Sequence, residues 1–267
     1  MGEKIRIGAL ISGSGTNLQA VIDACESGAI AGTVVFVGSD NPYAKGLARA
    51  EKHAIPTFVV HYRDIIRGYR EDTFTTPPGV DIDAVMRKQR LLSPRMDARK
   101  MKTFFSTRIT AEACLLEEMA AYPFDLLVLA GFMRNVTPFM IDAVNGRHDV
   151  PRIMNIHPAL LPAFPGVDGY GDTFRYGCKV GGCTVHFVDY GEDSGPIIGQ
   201  KAFPILPDDS LDSVKKKGLE LEWKLYPECI QLFAENRLRT EKRVHDLGGG
   251  KVFERTVVKI LSPETSV

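Results

Sequence analysis

Short apolar runs alternate with stretches of helical spacing along this chain, and this alternation limits the possible folds more than any other feature. The runs are rich in Val, Leu and Ile, as in Asp125–Ala130. Apolar strands separated by helices are typical of a parallel sheet covered on both faces. The predicted strands are Ile5–Ile11, Thr33–Gly38, Thr57–Val60, Asp125–Ala130 and Ile153–Ile156, and the predicted helices are one carrying Leu18, Val21, Ile22 and Cys25, then Ala44–His53, Ala111–Ala121 and Ser210–Ala234.

The pattern changes beyond Gly182, where strand follows strand. Thr184–Val188 and Ile197–Phe203 are both strand-like, which indicates antiparallel additions to the sheet. Lys251–Leu261 also has strand-like character, and Pro227 is expected to kink or divide the last helix. The predicted fold is therefore α/β: an open, mostly parallel Rossmann-like sheet with helices on both faces and antiparallel strands added in the C-terminal half.

Composition and charge argue against several classes of protein. The 267 residues carry a formal net charge of zero, which gives no electrostatic reason to bind nucleic acid or a membrane surface. No apolar run approaches the roughly 18 residues of a membrane span, and no signal-peptide pattern is present. The five cysteines form no Cys-x-x-Cys pair and no zinc-type set. We therefore expect a cytoplasmic protein without a metal, whose ligands are small molecules.

The stretch Ile153–Gly166 carries the strongest catalytic signal. Ile153–Ile156 is strand-like, and the prolines that follow prevent a helix. Because side chains alternate along a strand, Asn155 and His157 are expected on the same side, an amide donor beside an imidazole. Such a pair suits oxyanion stabilisation and proton transfer. The alternative is a histidine that merely ends a strand in a satisfied hydrogen bond.

A glycine-rich loop, Ser12–Asn17, follows the first strand and precedes a helix. Its backbone N–H groups would lie at a helix N-terminus, where a phosphate binds well. Gly13 and Gly15 match part of the dinucleotide fingerprint, but Leu18 occupies the position of its third glycine. The loop therefore predicts a monophosphate site, with a helix cap that binds no ligand as the alternative.

Two segments together resemble one enzyme family. The first is Asn155–Pro158, and the second is Gly182–Ile198, in which Asp193 precedes Ser-Gly-Pro. They resemble the folate-dependent phosphoribosylglycinamide formyltransferases, which have an Asn-x-His-Pro strand end and a later Asp followed by a small residue, Gly and Pro. The resemblance also takes in Ile7–Leu18 and Leu129–Arg134, and it extends from the N-terminus to about residue 238.

The resemblance implies a reaction and a catalytic site. The formyl group of 10-formyltetrahydrofolate would pass to the amine of 5'-phosphoribosylglycinamide in purine biosynthesis, without a covalent enzyme intermediate. Asn155 and a protonated His157 would donate hydrogen bonds to the oxyanion of the tetrahedral intermediate. Asp193, if close, would favour the imidazolium and raise the pKa of His157.

The resemblance also implies ligand contacts on both substrates. For the ribonucleotide they are Gly15, Thr16 and Asn17 at the phosphate and Glu222 at the amino group; for the folate they are Arg108 at its tail, and Met133, Arg134, Asn135, Val136 and Asn155 at its pterin side. Two of these have ordinary alternatives. Arg108 could be an exposed arginine at a helix start, and Glu222 a solvated side chain of an amphipathic helix.

Related functions stay open beside this one. Val167–Phe174 replaces a histidine-containing segment typical of the family, which concerns the ribonucleotide side. A 10-formyltetrahydrofolate hydrolase usually has a second histidine where Pro158 stands, and a regulatory domain before the position of Ile5. An enzyme acting on methionyl-tRNA is expected to carry a basic C-terminal domain. Transfer to another amine such as an amino sugar, and non-catalytic folate binding, complete the range of functions.

Two segments fall outside the resemblance. Residues 1–239 are predicted to form the formyltransferase domain, with an insertion at about 62–102 that holds ten Arg or Lys against six Asp or Glu. The insertion is either a solvated excursion, a basic lid or a subunit contact, so a homodimer is possible. Residues 240–267 are predicted to be a C-terminal extension.

Overall fold

The structure is a computed structural model that describes residues 4–71 and 75–263. Its strands are β1 Ile5–Ile11, β2 Gly32–Ser39, β3 Thr57–Val59, β4 Leu126–Leu129, β5 Ile153–His157, β6 Val180–Phe187, β7 Ile197–Pro204, β8 Leu238–Asp246 and β9 Val252–Ile260. Its helices are α1 Thr16–Glu26, α2 Lys45–Lys52, α3 Tyr62–Arg70, α4 Ile82–Lys88, α5 Ala98–Met119, α6 Pro138–Asn145, α7 Gly169–Arg175 and α8 Leu211–Ala234.

Seven strands form one sheet in the order β3-β2-β1-β4-β5-β6-β7. The strands from β3 to β5 pair in parallel, and β6 and β7 are added antiparallel. The predicted fold class is confirmed. The sheet grows to one side from β1 to β3 and then to the other side from β4. In an open α/β sheet, ligands bind outside the carboxyl ends of the strands at such a switch point.

Helices cover both faces of the sheet because the central strands are apolar on both sides. Along β4, Leu126 and Val128 pack into a cluster with α1, α2 and α8. Leu127 and Leu129 point the other way, into a cluster with α3, α5 and α6. This alternation explains why the strand is a continuous apolar run in the sequence.

The stretch predicted as an insertion contains α3, α4 and the start of α5. Helix α5 begins at Ala98, so its predicted start at Ala111 is wrong. Its first turns have apolar residues four positions apart, Met101, Phe105 and Ile109, which pack against Val85 of α4. Charged residues between them hide this spacing in the sequence. The predicted insertion and tail also include residues 72–74 and 264–267, which lie outside the described residues.

Helix α8 confirms the predicted helix at 210–234, and Ser210 caps it by accepting a hydrogen bond from Ser213 N at 3.2 Å. Pro227 does not divide it, because the helix continues to Ala234. The neighbouring Tyr226 is fully buried, and its hydroxyl donates to Met154 O at 2.8 Å. Tertiary packing therefore outweighs the one hydrogen bond that a proline removes.

The hairpin of β8 and β9 forms a second, two-stranded sheet, and β9 confirms the predicted strand at 251–261. Glycines 248–250, all with positive φ, form its turn. The predicted domain boundary after residue 239 falls inside β8. In the part of the chain that the structure describes, no helix combines the length and the apolar character needed to cross a membrane.

Candidate active site

A cavity of about 410 Å³ lies at the switch point, where segments following β1, β4, β5 and β6 come together. Two of these segments are joined directly. Ser12 N donates to Gly131 O at 3.0 Å, and Met133 N donates to Ser12 Oγ at 2.8 Å. The sheet topology thus places the predicted phosphate loop beside the predicted folate loop.

Strand β5 presents both Asn155 and His157 to this cavity, as the alternation of its side chains predicts. The antiparallel register places His186 of β6 directly opposite Asn155, and Asn155 Nδ2 lies 3.2 Å from His186 Nε2. Both histidines are 2% exposed. They are therefore reachable from the cavity but shielded from bulk water.

Asp193 lies between the two histidines. Its Oδ2 is 3.2 Å from His157 Nδ1, and its Oδ1 is 3.6 Å from His186 Nε2. The Gly166 N–H also donates to Oδ2 at 2.8 Å. Asp193 has a φ of 47°, a left-handed conformation that costs a non-glycine residue roughly 1 kcal/mol or more. The structure thus brings the three predicted catalytic residues together, and one of them, Asp193, has a strained backbone.

Burial and charge oppose each other in this group. Burial lowers the pKa of His157 below its usual value, and the Asp193 carboxylate offsets this only in part. Burial alone would raise the pKa of Asp193, but the contact with His186 and the charge of His157 outweigh it, and this pKa is lowered. Asp193 thus raises the pKa of His157 as predicted, but burial is the larger effect, and the pKa of His157 is lowered overall.

Both ring nitrogens of His157 face acceptors. Nδ1 faces Asp193, and Nε2 is 2.8 Å from the backbone oxygen of Phe164. A neutral imidazole can donate to one of them, whereas an imidazolium donates to both. Burial thus favours the neutral ring while the hydrogen bonds favour the charged one. That balance suits a residue that gains and loses a proton during turnover.

His186 is a cavity residue that sequence patterns did not single out. An imidazolium would donate from Nε2 to Asp193 Oδ1, which lies 3.6 Å away. A neutral ring donates from Nδ1 to the backbone oxygen of Phe187, which lies 2.9 Å away, and accepts at Nε2 from the Asn155 amide. This assignment orients the Asn155 side chain, whose second N–H stays available. Strand alternation could suggest the face of His186, but its partner follows from the pairing register of β5 and β6.

The predicted ribonucleotide side is organised around Glu222. This carboxylate is 4% exposed, so the alternative of a solvated side chain is wrong. Asn17 Nδ2 donates to its Oε2 and the Tyr170 hydroxyl to its Oε1, both at 2.6 Å. Burial raises the pKa of Glu222, and these two neutral donors reduce the rise. Tyr170 lies in the segment that departs from the family pattern, and its role was missed because the contact joins two separate helices.

The predicted phosphate residues divide between two environments. Gly15 is the N-cap of α1 and has a φ of 69°. Because glycine has no side chain, the N-terminal N–H groups of α1 receive no side-chain cap from this residue. A Cβ at Gly15 would come within 2.5 Å of Gly46 Cα, so this glycine is needed for packing as well. Asn17 lines the main cavity, whereas Thr16 lines a neighbouring groove between α1 and α8.

The predicted folate loop lies on the cavity wall, where Met133, Arg134, Asn135 and Val136 all line it. Arg134 Nε donates to Asp40 Oδ2 at 2.6 Å, and its guanidinium lies over the Tyr62 ring, 5.3 Å from the ring centroid. The apolar part of the wall includes Leu129, Phe132, Val136, Ile156 and Val188. An apolar slot with main-chain groups and a held arginine fits a flat ring with a charged tail.

Arg108 is placed differently from its prediction. It lies in the middle of α5, half-buried, with its guanidinium 4.7 Å from the centroid of the Phe104 ring. It is absent from the described residues that line the cavity, although its charge is close to that of Arg134 in the folate loop. Burial lowers its pKa, and the charge of the nearby Arg134 lowers it further. The alternative of an exposed residue at a helix start is wrong.

A group that could hold a metal ion lies outside this cavity. Asp23, Glu26 and His53 offer ligand atoms within 4.8 Å of one another, and His53 Nδ1 is 2.6 Å from Glu26 Oε1. Asp23 and Glu26 are exposed, and exposed carboxylates of this kind commonly pair with neighbouring side chains. We assign no metal to this group.

The structure combines an open α/β sheet with a buried histidine–carboxylate pair at its switch point, an arrangement that suits proton transfer. The family model described as formyl transferase matches residues 5–230, which is most of the chain. The chain therefore belongs to the formyl transferase family and is a formyltransferase.

Similar proteins make this placement more specific. Phosphoribosylglycinamide formyltransferase of Haemophilus influenzae is 33% identical over 244 residues, which is 91% of this chain and 94% of that protein. The structure of glycinamide ribonucleotide transformylase 1 from Symbiobacterium toebii has 38% identity and a TM-score of 0.69, covering 98% of this chain and 96% of that one. A formyltetrahydrofolate deformylase from Pseudomonas syringae, 19% identical with a TM-score of 0.66, shares the fold.

Proposed function

We propose that this enzyme transfers the formyl group of 10-formyltetrahydrofolate to the amine of phosphoribosylglycinamide, the acceptor named for its relatives. One observation carries the proposal. A single cavity contains the Asn155, His157 and Asp193 group, the Glu222 cluster and the loop of Met133. A direct transfer needs donor, acceptor and proton-moving residues within one such space.

The reaction forms a bond between the amine nitrogen and the formyl carbon and breaks the bond from that carbon to the folate nitrogen. One proton leaves the amine, and one reaches the folate nitrogen, so no net proton is exchanged with water. The tetrahedral intermediate carries an oxyanion, to which the free N–H of Asn155 Nδ2 donates. Such a donor typically contributes a factor of roughly 10²–10³ to kcat.

His157 carries the proton in this proposal. Nδ1 keeps its contact with Asp193, and Nε2 accepts the proton of the attacking amine once its hydrogen bond to Phe164 O has opened. Asp193 stays ionised because its pKa is lowered, so its charge stabilises the imidazolium. The proton then passes to the leaving folate nitrogen, which restores the neutral ring.

Release of tetrahydrofolate, followed with and without glycinamide ribonucleotide, tests the proposal. We expect release that depends on the acceptor and produces formylglycinamide ribonucleotide in equal amount, and a His157→Ala variant that loses most of it. Release at the same rate without the acceptor would mean a hydrolase. Release with another amine, and none with this ribonucleotide, would reassign the acceptor.

Two further properties are proposals of the same kind. We propose that the enzyme acts in the cytoplasm and that it can form a homodimer. Sedimentation velocity at micromolar protein concentration tests the second, and a single monomeric species across the concentration range would contradict it.

A further inference from the structure

The loop that carries Asp193 is held from outside by a residue of the predicted insertion. Arg90 N donates to Tyr190 O at 2.7 Å, and the two chains form a parallel bridge between Arg90 and Gly191. The Arg90 guanidinium also donates to Asp189 Oδ2 at 2.9 Å. Arg90 therefore makes main-chain and side-chain contacts to the three residues 189–191, just before the catalytic loop reaches Asp193.

Asp189 connects Arg90 to the inside of this loop. While its Oδ2 accepts from Arg90, its Oδ1 accepts from Gly191 N at 3.1 Å and from Ser194 Oγ at 2.6 Å. These bonds bracket Asp193, whose left-handed conformation persists only while its surroundings determine it. A change at Arg90 can thus reach the catalytic carboxylate through a short chain of contacts.

The residue that follows Arg90 enters the cavity itself. Leu91 lines the cavity together with Asn155 and His157, and it is half-buried. Its segment is a built structure, because the Gln89 side chain pairs with both the N–H and the carbonyl of Leu92, at 2.8 and 3.2 Å. Lys88 anchors the same segment to Asp142 of α6 at 2.5 Å.

We propose that Arg90 is a positioning residue for Asp193 and that Leu91 is a specificity-determining wall of the formyl-donor site. The segment between α4 and α5 is then part of the active site and not a solvated excursion. The identity of the donor rests on the proposed function, but the positioning of the loop does not.

The effect of an Arg90 substitution on stability can be distinguished from its effect on catalysis. Its side chain is 66% exposed, and exposed ion pairs contribute only about 0–1 kcal/mol to folding. A merely structural role would therefore show as a small change in melting temperature with kcat unchanged. A positioning role lowers kcat, because a displacement of about 1 Å at a catalytic group can cost up to about 10²-fold.

The first test compares Arg90→Gln with Arg87→Gln. Arg87 is also exposed, and its partner is Asp81 at 3.6 Å, away from the loop. We expect Arg90→Gln to lower kcat about tenfold with the KM of the ribonucleotide unchanged. Arg90→Lys, which keeps the charge and the main-chain bonds, should recover most of the loss. Equal kcat values for Arg90→Gln and Arg87→Gln would overturn the assignment.

The second test compares Leu91→Ala with Leu92→Ala. Leu92 is also half-buried and packs, as Leu91 does, against the cluster of Val85 and Phe105, but it does not line the cavity. Removing the Leu91 side chain should weaken binding of 10-formyltetrahydrofolate about tenfold, the effect of roughly 1.4 kcal/mol of lost apolar contact. Calorimetry should show no such change for Leu92→Ala. Equal donor affinity in the two variants would remove Leu91 from the site.

Hydrogen exchange of peptides spanning residues 187–196 separates this inference from the proposed function, because it needs no substrate. Exchange in this loop should be faster in Arg90→Gln than in the parent, and unchanged in Arg87→Gln. If the parent enzyme does not formylate the ribonucleotide but exchange is still faster in Arg90→Gln, the proposed function is refuted and the positioning role of Arg90 is kept. Unchanged exchange in an active enzyme would refute the positioning role alone.

Discussion

Each end of the cavity contains a buried carboxylate, and the pKa values of the two carboxylates are shifted in opposite directions. At one end, burial of Asp193 is outweighed by two histidines and a backbone N–H, and its pKa is lowered. At the other end, Glu222 accepts hydrogen bonds from Asn17 and Tyr170, which are neutral, and burial keeps its pKa raised. The difference lies in the partners, since side chains that can carry a positive charge stabilise a carboxylate more than neutral donors do.

This contrast assigns a different task to each end. An ionised Asp193 can stabilise an imidazolium during turnover without itself moving. Glu222 is held in place by two hydrogen bonds yet has lone pairs left for a ligand donor, and an incoming amine or hydroxyl would lower its raised pKa. We therefore expect changes at the Asp193 end to act on kcat and changes at the Glu222 end to act on KM.

The largest effect is expected at the charged end. Asp193→Asn keeps the shape but removes the charge, so kcat should fall at least about 100-fold while folate affinity stays within a few fold. Steady-state kinetics and calorimetry measure the two quantities. Asp172 is a half-buried carboxylate of α7 paired with Arg175, and Asp172→Asn should behave as the parent does. Near-normal turnover of Asp193→Asn would remove it from the catalytic group.

A third carboxylate, Glu112, sharpens the comparison because it is fully buried with neutral partners. It accepts from Thr137 N and Oγ1 at 2.7 and 2.5 Å, and burial raises its pKa to about 7. The folded-state pKa exceeds the unfolded one, so its contribution to stability is complete below the unfolded pKa of about 4.3 and is lost as the pH rises through 7.

Urea unfolding at pH 5 and pH 8 measures this loss. The parent should lose on the order of 2 kcal/mol more than Glu112→Gln between these two pH values. Glu118→Gln, exposed on the same helix, should follow the parent. Parallel pH profiles for the parent and Glu112→Gln would show that Glu112 does not titrate in this range.

At the neutral end, Glu222→Gln should raise the KM for the ribonucleotide about tenfold with a smaller change in kcat, because it removes an acceptor from binding and not from proton transfer. Glu220→Gln, exposed two positions earlier on α8, is the control. A fall in kcat as large as that of Asp193→Asn would end the distinction between the two ends.

A smaller effect is expected at Tyr170. Tyr170→Phe removes one of the two donors to Glu222 and raises the pKa of Glu222 further, so the KM for the ribonucleotide should rise about threefold. Tyr176, just after α7, is 80% exposed, and Tyr176→Phe should leave both constants unchanged. No change in Tyr170→Phe would show that Asn17 alone suffices to hold Glu222.

Some of these residues could be predicted from the sequence, and others could not. The strands were predictable because they are continuous apolar runs, and Asn155 with His157 because alternation along β5 is local. The partners of Glu222 were not, since Tyr170 lies 52 residues away on another helix. His186 depended on a strand register that no local pattern contains.

The secondary structure of region 62–102 could also not be predicted from local sequence patterns. The apolar spacing at the start of α5 was masked by charged residues, and the contact of Arg90 with Gly191 is a long-range pairing between a helix end and a catalytic loop. Gly15 adds a further lesson. A bulky substitution there would clash with Gly46, so its effect on KM would not distinguish a phosphate site from a packing site.

The smallest effect concerns the exposed positive charges just before and at the start of α5, which do not line the cavity. Residues Arg95, Arg99, Lys100 and Lys102 are all exposed, and they could attract the tail of a polyglutamylated folate through solvent. Exposed charges are screened over about 8 Å at physiological ionic strength. If they act on the donor, its KM should rise steeply with salt in the parent.

Replacing these four residues together with Gln should flatten that salt dependence and change the KM by about twofold at physiological salt, with kcat unchanged. The matched control removes the same number of charges elsewhere, at Lys45, Lys52, Lys251 and Lys259, which are also exposed. Both variants change the net charge by the same amount. A difference between their salt dependences of KM would therefore come from the location of the charges and not from the total charge. Identical profiles would mean that the donor senses only the overall field of the protein, and that the active-site role of this stretch rests with Arg90 and Leu91.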